Sequence, residues 1–158
     1  MIIIMLQYFM ITAEREEMKN YKNAAGQIRY CISGNYRTVI ALDGFFTTMG
    51  NKNWSDSRQF CRDNGGDLVI IKSEEKEMLV SSFVVERIGF PVWIGLSDTE
   101  SEGKMKWVDS SKLNKGFWRK GEPSNSGGNE DCVIMNPRLD LLNWNDIPCS
   151  EHSKVLCE

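Results

Sequence analysis

Side chains that carry oxygen ligands are concentrated between residues 98 and 146 of this 158-residue chain. They are carboxylates, amides and one hydroxyl: Asp98, Glu102, Glu122, Ser124, Asn125, Glu130, Asp131, Asn145 and Asp146. Calcium is a hard cation that takes about six to eight such oxygens. A single acidic loop residue is usually just solvated, but this cluster is interleaved with tryptophans. Together the two features favour a calcium-binding loop, held by ions where apolar burial cannot hold it.

The loop itself extends from Ser97 to Asn129 and has few periodic elements. Glycine, serine, asparagine, lysine and proline dominate it, with Trp107, Phe117 and Trp118 between them. Loops of this length in a compact domain are usually functional or disordered. The elements on either side must therefore position the ligands.

Those elements predict an α+β domain with two helices and several short strands. Asn53 or Ser55 can cap a first helix that Gly65 ends. Ser73 can cap a second helix, for which we expect an apolar face. The predicted apolar face consists of Met78, Leu79, Phe83 and Val84.

The strands follow from β-type residues and turn signals. Residues 37–48 predict a hairpin around Asp43-Gly44. The other predicted strands are short and apolar: 68–71, 92–96, 132–135, 141–144 and 154–157.

Five cysteines limit the classes of protein that fit. None forms a C-x-x-C pair, and the single histidine, His152, gives no recognisable zinc spacing. Four cysteines in the C-terminal part favour two disulfides and hence an oxidising compartment: Cys61, Cys132, Cys149 and Cys157. Their spacing leaves three pairings open, and Cys31 is either a buried thiol or an inter-chain bridge.

The N-terminal segment, residues 1–27, differs in character from the remainder. Residues 1–11 are apolar but too short to span a bilayer, which needs about 20 residues. They suit a signal peptide cut after Ala13, or the remnant of an anchor. Residues 12–23 are charged and predict a short stalk. The net charge of −3 without a basic block argues against a nucleic-acid partner. We therefore expect one extracellular domain over residues 28–158.

Several segments of the chain resemble the C-type lectin domain family, in the family's order and over residues 30 to 158. They are Trp54 through Phe60-Cys61, Gly66-Asp67-Leu68, Trp93-Ile94-Gly95-Leu96, Phe117-Trp118, Gly121-Glu122-Pro123, Asn129-Glu130-Asp131-Cys132, Trp144-Asn145-Asp146 and Cys157. Each is weak alone, but jointly they are specific. The resemblance implies the C-type lectin-like fold, with short mixed and antiparallel strands and a long calcium-binding loop.

The resemblance also implies disulfides and metal ligands. Cys61 would pair with Cys157, and Cys132 with Cys149. A principal calcium site, which also binds sugar, would fall on Glu122, Ser124, Glu130, Asn145 and Asp146. A second calcium site would fall on Asp98, Glu102, Asn125, Glu130 and Asp131. Pro123 would be a cis-proline, although from the sequence alone an ordinary turn proline is favoured.

The motif Glu122-Pro123-Ser124 indicates the sugar class that the resemblance implies. Mannose-type lectins have Glu-Pro-Asn, whereas galactose-type relatives have Gln-Pro-Asp. Ser124 keeps the acceptor first and the donor third, which favours mannose, N-acetylglucosamine and glucose, with equatorial 3- and 4-hydroxyls. Because serine offers a single donor, we expect weaker binding than with asparagine. Such a domain would recognise glycoprotein glycans in innate immunity, with homo-oligomers formed through the stalk or Cys31.

The residues leave three alternative functions to consider. A lectin-like domain that binds protein would tend to have lost the calcium ligands, which are retained here. A glycosidase using Glu122 and Glu130 needs one protonated carboxyl, whereas calcium would hold both ionised, so we expect no enzymatic activity. A zinc module would lose its thiolates to disulfides. Separately, Asn53-Trp54-Ser55 is an N-glycosylation sequon or an unmodified helix cap.

Overall fold

The computed structural model describes residues 29–33, 37–42, 44–48 and 50–158. The predicted signal or anchor segment and the stalk lie outside these residues. The proposed roles of the Cys31 thiol also lie outside what the structure describes. The chain divides into two compact units, with the boundary after residue 49.

The described part of the first unit is an antiparallel sheet of three strands in the order β1-β2-β3. The strands are β1 (Arg29–Ser33), β2 (Arg37–Leu42) and β3 (Phe45–Thr48). Leu42 pairs with Phe45 across the turn. Gly44 lies in that turn with a φ of 86°, which costs glycine little. The predicted hairpin is confirmed.

The second unit is built on a five-stranded sheet in the order β5-β4-β6-β7, with β8 paired to β4. The strands are β4 (Val92–Ser97), β5 (Lys106–Trp107), β6 (Cys132–Met135), β7 (Trp144–Ile147) and β8 (Lys154–Val155). β4 runs antiparallel to β5 and β6 and parallel to β8. Its residues 92–96 are all buried, so this central strand forms the middle of the core.

Gly95 on β4 is a position where only glycine fits. A Cβ there would lie 2.8 Å from the Leu68 carbonyl oxygen and 2.8 Å from Val108 Cγ2. The close approach allows Gly95 N to donate to Val69 O at 2.8 Å and Gly95 O to accept from Val108 N at 2.8 Å. Gly95 therefore joins two non-strand segments to the sheet.

Two helices complete this unit, α1 (Trp54–Asp63) and α2 (Glu74–Phe83). A single π-helical turn, Val84–Ile88, extends α2. Asn53 Oδ1 accepts from Asp56 N at 2.8 Å, and Ser73 Oγ accepts from Lys76 N at 3.2 Å. The predicted helices and their caps are confirmed, as is the α+β class.

The predicted apolar face of α2 is partly wrong. Met78 is 49% exposed and Leu79 is 53% exposed. The buried face consists of Glu77, Val80, Ser81 and Phe83. Polar partners inside the unit account for the difference, because Glu77 accepts a hydrogen bond from Trp144 Nε1 at 3.0 Å and Ser81 Oγ accepts one from Asn143 Nδ2 at 2.8 Å.

Three predicted strands also differ from those in the structure. The strand predicted at 154–157 ends at Val155. Residues 68–71 form no strand and have one isolated β-bridge, between Leu68 and Cys157. The reason is that their backbone hydrogen bonds go to different segments: Val69 N donates to Leu156 O, and Val69 O accepts from Gly95 N. The predicted strand 141–144 begins only at Trp144, since Leu142 is 56% exposed and precedes the paired region.

Both predicted disulfides are confirmed. Cys61 joins Cys157 with a sequence separation of 96, and Cys132 joins Cys149 with a separation of 17. Closing loops of these lengths stabilises the fold by about 4.7 and 3 kcal/mol on a chain-entropy estimate. The bridges use all the thiols of residues 50–158, so the zinc alternative has no thiolate ligands there.

Candidate functional site

The site begins on β7, which carries Asn145 and Asp146 directly after Trp144. The Trp144 side chain is fully buried. Three aromatic rings meet it edge-on, with centroid distances of 5.3 to 5.7 Å: Phe117, Trp107 and Trp118. This packing fixes the direction in which the two polar residues leave the core.

Backbone hydrogen bonds join the start of β7 to the long loop. Asn143 N and Trp144 N both donate to Phe117 O at 2.9 Å. Arg119 N in turn donates to Trp144 O at 2.9 Å. The segment that leads to Glu122 is thereby held beside the ligand-bearing strand.

Asp146 holds the next turn of the loop. Its carboxylate accepts from Ser124 N at 2.9 Å and from Asn125 N at 2.8 Å. Asp146 is only 1% exposed. The Glu122-Pro123 peptide bond is cis, as the resemblance implied and contrary to the preference from the sequence alone. Asn125 has a positive φ of 43°, which asparagine tolerates better than most residues.

Glu122 faces Asn145 across this turn. With the amide oriented by its hydrogen bonds, Asn145 donates to Glu122 Oε1 at 2.7 Å and Oε2 at 3.2 Å. Arg119 Nη2 lies 3.1 Å from Glu122 Oε1. Burial acts to raise the pKa of Glu122, but hydrogen bonds with Ser124 and Arg119 outweigh it and lower the pKa.

Asp146 responds in the opposite direction. Burial raises its pKa, against the backbone N–H donors of Asn125 and Ser124, and the nearby Glu122 carboxyl raises it further. The carboxyl groups of Glu122 and Asp146 are thus in contact, and Glu122 ionises more readily than Asp146. A bound cation would offset the repulsion between two adjacent carboxylates in a partly buried site.

Glu130 enters the site through Ser124. Ser124 Oγ donates to Glu130 Oε2 at 3.0 Å, and Ser126 N donates to the same oxygen at 2.5 Å. All five residues predicted for the principal site are therefore linked: Glu122, Ser124, Glu130, Asn145 and Asp146.

The second predicted set is assembled more loosely. Asn125 Nδ2 donates to Glu102 Oε1 at 2.7 Å, and Asn125 Oδ1 accepts from Glu130 N at 3.1 Å. Asp98 is 4% exposed, and its Oδ2 accepts from Gly103 N at 2.8 Å. The contact of Asp131 with this set is its backbone carbonyl, which accepts from Asp98 N.

The residues fit calcium by type, and hydrogen bonds link the members of the principal set. Every side chain of both sets offers oxygen, the donor atom that calcium prefers. Asp98 Oδ1 is buried and has no hydrogen-bond partner in the structure, which is the state of an oxygen that a cation would satisfy. Within the described residues, no group of three or more Asp, Glu, His or Cys side chains lies close enough together to hold a metal ion. The carboxylates of Asp146 and Glu130 instead accept hydrogen bonds from N–H and hydroxyl donors.

Sequence reasoning missed two residues at the site. Arg119 pairs with Glu122 across the turn at residues 120 and 121, where no helical spacing indicates such a pair in advance. Glu77 accepts from Trp144 Nε1 at 3.0 Å from beneath the site. Nothing in the sequence distinguishes Glu77 from the solvated acids beside it in α2.

Comparison with known proteins now identifies the class. The sequence model described as the Lectin C-type domain matches residues 50–158. The chain belongs to the C-type lectin domain family. That match covers the second structural unit and every predicted calcium ligand.

Relatives support the same family. The chain is 30% identical over 145 residues to human C-type lectin domain family 4 member D, covering 90% of this chain and 66% of the relative. It is 34% identical over 146 residues to mouse C-type lectin domain family 4 member E, covering 90% and 67%. Chicken collectin-10 is 36% identical over 115 residues, covering 72% of this chain and 40% of that protein. The chain thus spans about two thirds of the first two relatives.

Solved structures agree on the fold. The mouse scavenger receptor C-type lectin carbohydrate-recognition domain has a TM-score of 0.64 and 28% identity, covering 80% of this chain and 90% of that chain. The cow CD23 C-type carbohydrate-recognition domain, solved in the presence of a GlcNAc2Man3 oligosaccharide, has a TM-score of 0.63 and 28% identity, covering 88% and 95%. The C-type lectin-like fold is confirmed.

These relatives place the chain among carbohydrate-binding lectins in general. The family consists of binding proteins without enzymatic activity, in agreement with the prediction. Among the described helices, none is both long and apolar enough to cross a membrane.

Proposed function

We propose that residues 50–158 bind glycans through a calcium ion held by the principal ligand set. Those ligands are Glu122, Ser124, Glu130, Asn145 and Asp146. The observation that carries the proposal is the contact between the Glu122 carboxylate and the Asn145 side-chain amide, 2.7 Å apart, which is a hydrogen bond when the amide nitrogen faces the carboxylate. It places a carboxylate acceptor beside an amide donor, the combination that two neighbouring sugar hydroxyls require. Calcium would supply a Lewis-acidic centre that coordinates those hydroxyls.

The order of acceptor and donor sets the proposed sugar class. Glu122 accepts, whereas Ser124 and Asn145 donate, and this is the polarity of the mannose-type motif. We therefore propose mannose, N-acetylglucosamine and glucose, whose 3- and 4-hydroxyls are equatorial. The oligosaccharide in the CD23 structure contains two of these sugars, which supports the proposal by relationship.

A second calcium ion would be held by the other predicted set: Asp98, Glu102, Asn125, Glu130 and Asp131. Its contribution would be to hold the loop rather than to contact sugar. The buried and unpartnered Asp98 Oδ1 supports this site. Glu130 belongs to both sets, so binding of one ion would affect binding of the other.

The setting is also a proposal. Two disulfides suit an oxidising compartment, so we propose an extracellular domain, either secreted or part of a membrane protein. Recognition of glycoprotein glycans in innate immunity and oligomers formed through the stalk or Cys31 remain predictions.

The test is retention on immobilised mannose with calcium, and elution by EDTA. Mannose should compete better than galactose, because the two differ at the 4-hydroxyl. Glu122→Gln should weaken retention, whereas Glu86→Gln, which changes an exposed residue after α2, should leave retention unchanged. Retention that survives EDTA, or equal competition by galactose, would contradict the proposal. Release of free sugar from an oligosaccharide would instead support a glycosidase.

A further inference from the structure

A carboxylate lies beneath the proposed site without a charged partner. Glu77 on α2 has no exposed surface. Its Oε1 accepts from Ser81 Oγ at 2.9 Å, and its Oε2 accepts from Trp144 Nε1 at 3.0 Å. Within the described residues, the ion pairs include no basic side chain on Glu77. Burying a carboxylate among neutral donors is costly, so packing alone does not account for an acid here.

The hydrogen bonds continue from α2 to the segment before β7. Asn143 is fully buried, and its Nδ2 donates to Ser81 Oγ at 2.8 Å. The same amide lies 3.3 Å from the Asp140 carbonyl oxygen. The Asn143 carbonyl accepts from Asn136 N at 3.1 Å and from Asn136 Nδ2 at 2.9 Å. The connection between β6 and β7 is thus tied to α2 by side chains.

The proposed site has a strand half, with Asn145 and Asp146, and a loop half, with Glu122 and Ser124. Both halves are connected to Trp144, whose indole donates a hydrogen bond to Glu77. On one side, Trp144 is followed at once by the ligands Asn145 and Asp146. On the other side, its backbone N and O bond to Phe117 O and Arg119 N, and Arg119 leads within three residues to Glu122. A shift of the Trp144 backbone would therefore move Asn145 and Asp146 relative to the loop segment that carries Glu122, and the bond from the buried indole to Glu77 opposes such a shift.

We infer that Glu77 is a positioning residue for the calcium and sugar site, acting through the Trp144 indole. The inference rests on the proposed function. Glu77 supplies two acceptors at a fixed separation, one for Trp144 and one for Ser81. Residues that orient metal ligands without touching the metal typically change metal affinity by about 10- to 100-fold when they are removed.

Two substitutions of Glu77 separate this role from packing. Glu77→Gln keeps an oxygen that can accept from Trp144 Nε1 and an amide that can donate to Ser81 Oγ. Glu77→Leu fills similar space and accepts from neither. The matched control is Val80→Ala, which alters an equally buried residue of α2 that has no polar link to Trp144.

The experiment measures calcium affinity by calorimetry at a temperature where each variant is folded, together with melting temperature in EDTA. We expect Glu77→Leu to weaken calcium binding about tenfold or more, and Glu77→Gln to stay close to wild type. Val80→Ala should lower the melting temperature and leave calcium affinity unchanged. Wild-type affinity in Glu77→Leu, or an equal loss in Val80→Ala, would overturn the inference.

Hydrogen exchange in the metal-free domain gives a readout that needs no calcium. Amides of residues 144–147 should exchange faster in Glu77→Leu than in Val80→Ala, and unchanged exchange would count against the inference. If Glu77→Leu does not fold, Trp144→Phe removes the indole donor while Glu77 remains, and the same losses are expected. If the wild-type domain binds no calcium, the proposed function fails, and the exchange result still decides the role of Glu77.

Discussion

The two halves of the candidate site are built by different forces. Asn145 and Asp146 stand on a strand whose Trp144 is enclosed by three aromatic rings and bonded to a buried carboxylate. Ser124 and its neighbours stand on an exposed loop, in which residues 126–129 are exposed as well. The strand half is held by burial, whereas the loop half is held by hydrogen bonds to Asp146 and Glu130.

This difference shows where calcium would act. The loop is held by hydrogen bonds, and their acceptors are the same carboxylates that would bind the ion. Calcium would therefore exchange loop-forming hydrogen bonds for coordination bonds, while the strand half would already be in place. We expect metal binding to order residues 122–131 much more than residues 144–147.

The largest effect should come from removing the connection between the halves. Asp146→Ala deletes a predicted calcium ligand and the acceptor of Ser124 N and Asn125 N. We expect no measurable calcium binding by calorimetry and no retention on immobilised mannose. Asp63→Ala, at the exposed end of α1, is the matched control. Calcium binding that persists in Asp146→Ala would show that the loop half suffices alone.

The next effect concerns the strand half and pH. Burial raises the pKa of Glu77 from 4.5 to about 7, although hydrogen bonds from Ser81 and Trp144 oppose the rise. The folded state therefore holds this proton more tightly than the unfolded state. The resulting stability is complete below pH 4.5 and is lost as pH rises through about 7. By about pH 8 the cost approaches 3 kcal/mol, at 1.36 kcal/mol per pKa unit.

Glu77→Gln removes that cost while it keeps the hydrogen bonds. Its free energy of unfolding in EDTA, from urea denaturation, should exceed that of wild type by up to about 3 kcal/mol at about pH 8. The excess should shrink as pH falls through about 7 and be lost below pH 4.5, where wild-type Glu77 is protonated in both states. An excess that does not change with pH would mean that Glu77 is not titrating in this range.

The sequence predicts some features of the fold and the site better than others. The helix caps at Asn53 and Ser73 are predictable because they depend on local side-chain chemistry. The disulfide pairing and the ligand set follow from the family resemblance, since motif order carries three-dimensional information that spacing alone lacks. The structure brings together all five residues of the principal set, although Glu130 is linked only through Ser124.

What the sequence could not predict depends on distant packing. Met78 and Leu79 look like the apolar face of α2, yet both are about half exposed. Glu77 and Ser81 occupy the interior because Trp144 and Asn143, more than 60 residues away, supply their hydrogen bonds. Hydrophobic periodicity cannot detect a polar interior whose partners lie on another element.

A smaller loss is expected from the loop half. Glu130 belongs to both predicted calcium sites, and its carboxylate also accepts from Ser124 Oγ and Ser126 N. Glu130→Gln should weaken calcium binding about tenfold or more, the largest effect among the loop residues, because one charge is removed from two ions. Asp131→Asn, which changes the second set alone, should cost less. Calcium titration by calorimetry makes the comparison, and equal losses would reject Glu130 as a shared ligand.

The smallest effect, and the only gain in binding, should come from Ser124. The Ser124 hydroxyl is exposed and donates to Glu130 Oε2 at 3.0 Å, so its one hydrogen is already used. Ser124→Asn would place an amide there, with an oxygen free to coordinate and two hydrogens free to donate. The backbone N–H that bonds to Asp146 is unchanged by the substitution, so the turn should keep its shape. One additional hydrogen bond contributes about 1 kcal/mol, which predicts mannose binding about fivefold tighter. The measurement is inhibition of binding to immobilised mannose by free mannose, with Ser150→Asn as the control because Ser150 is exposed and outside both predicted ligand sets. Weaker binding in Ser124→Asn would mean that serine is the better ligand in this loop, and that the restricted side chain of residue 124, rather than its number of donors, sets the affinity.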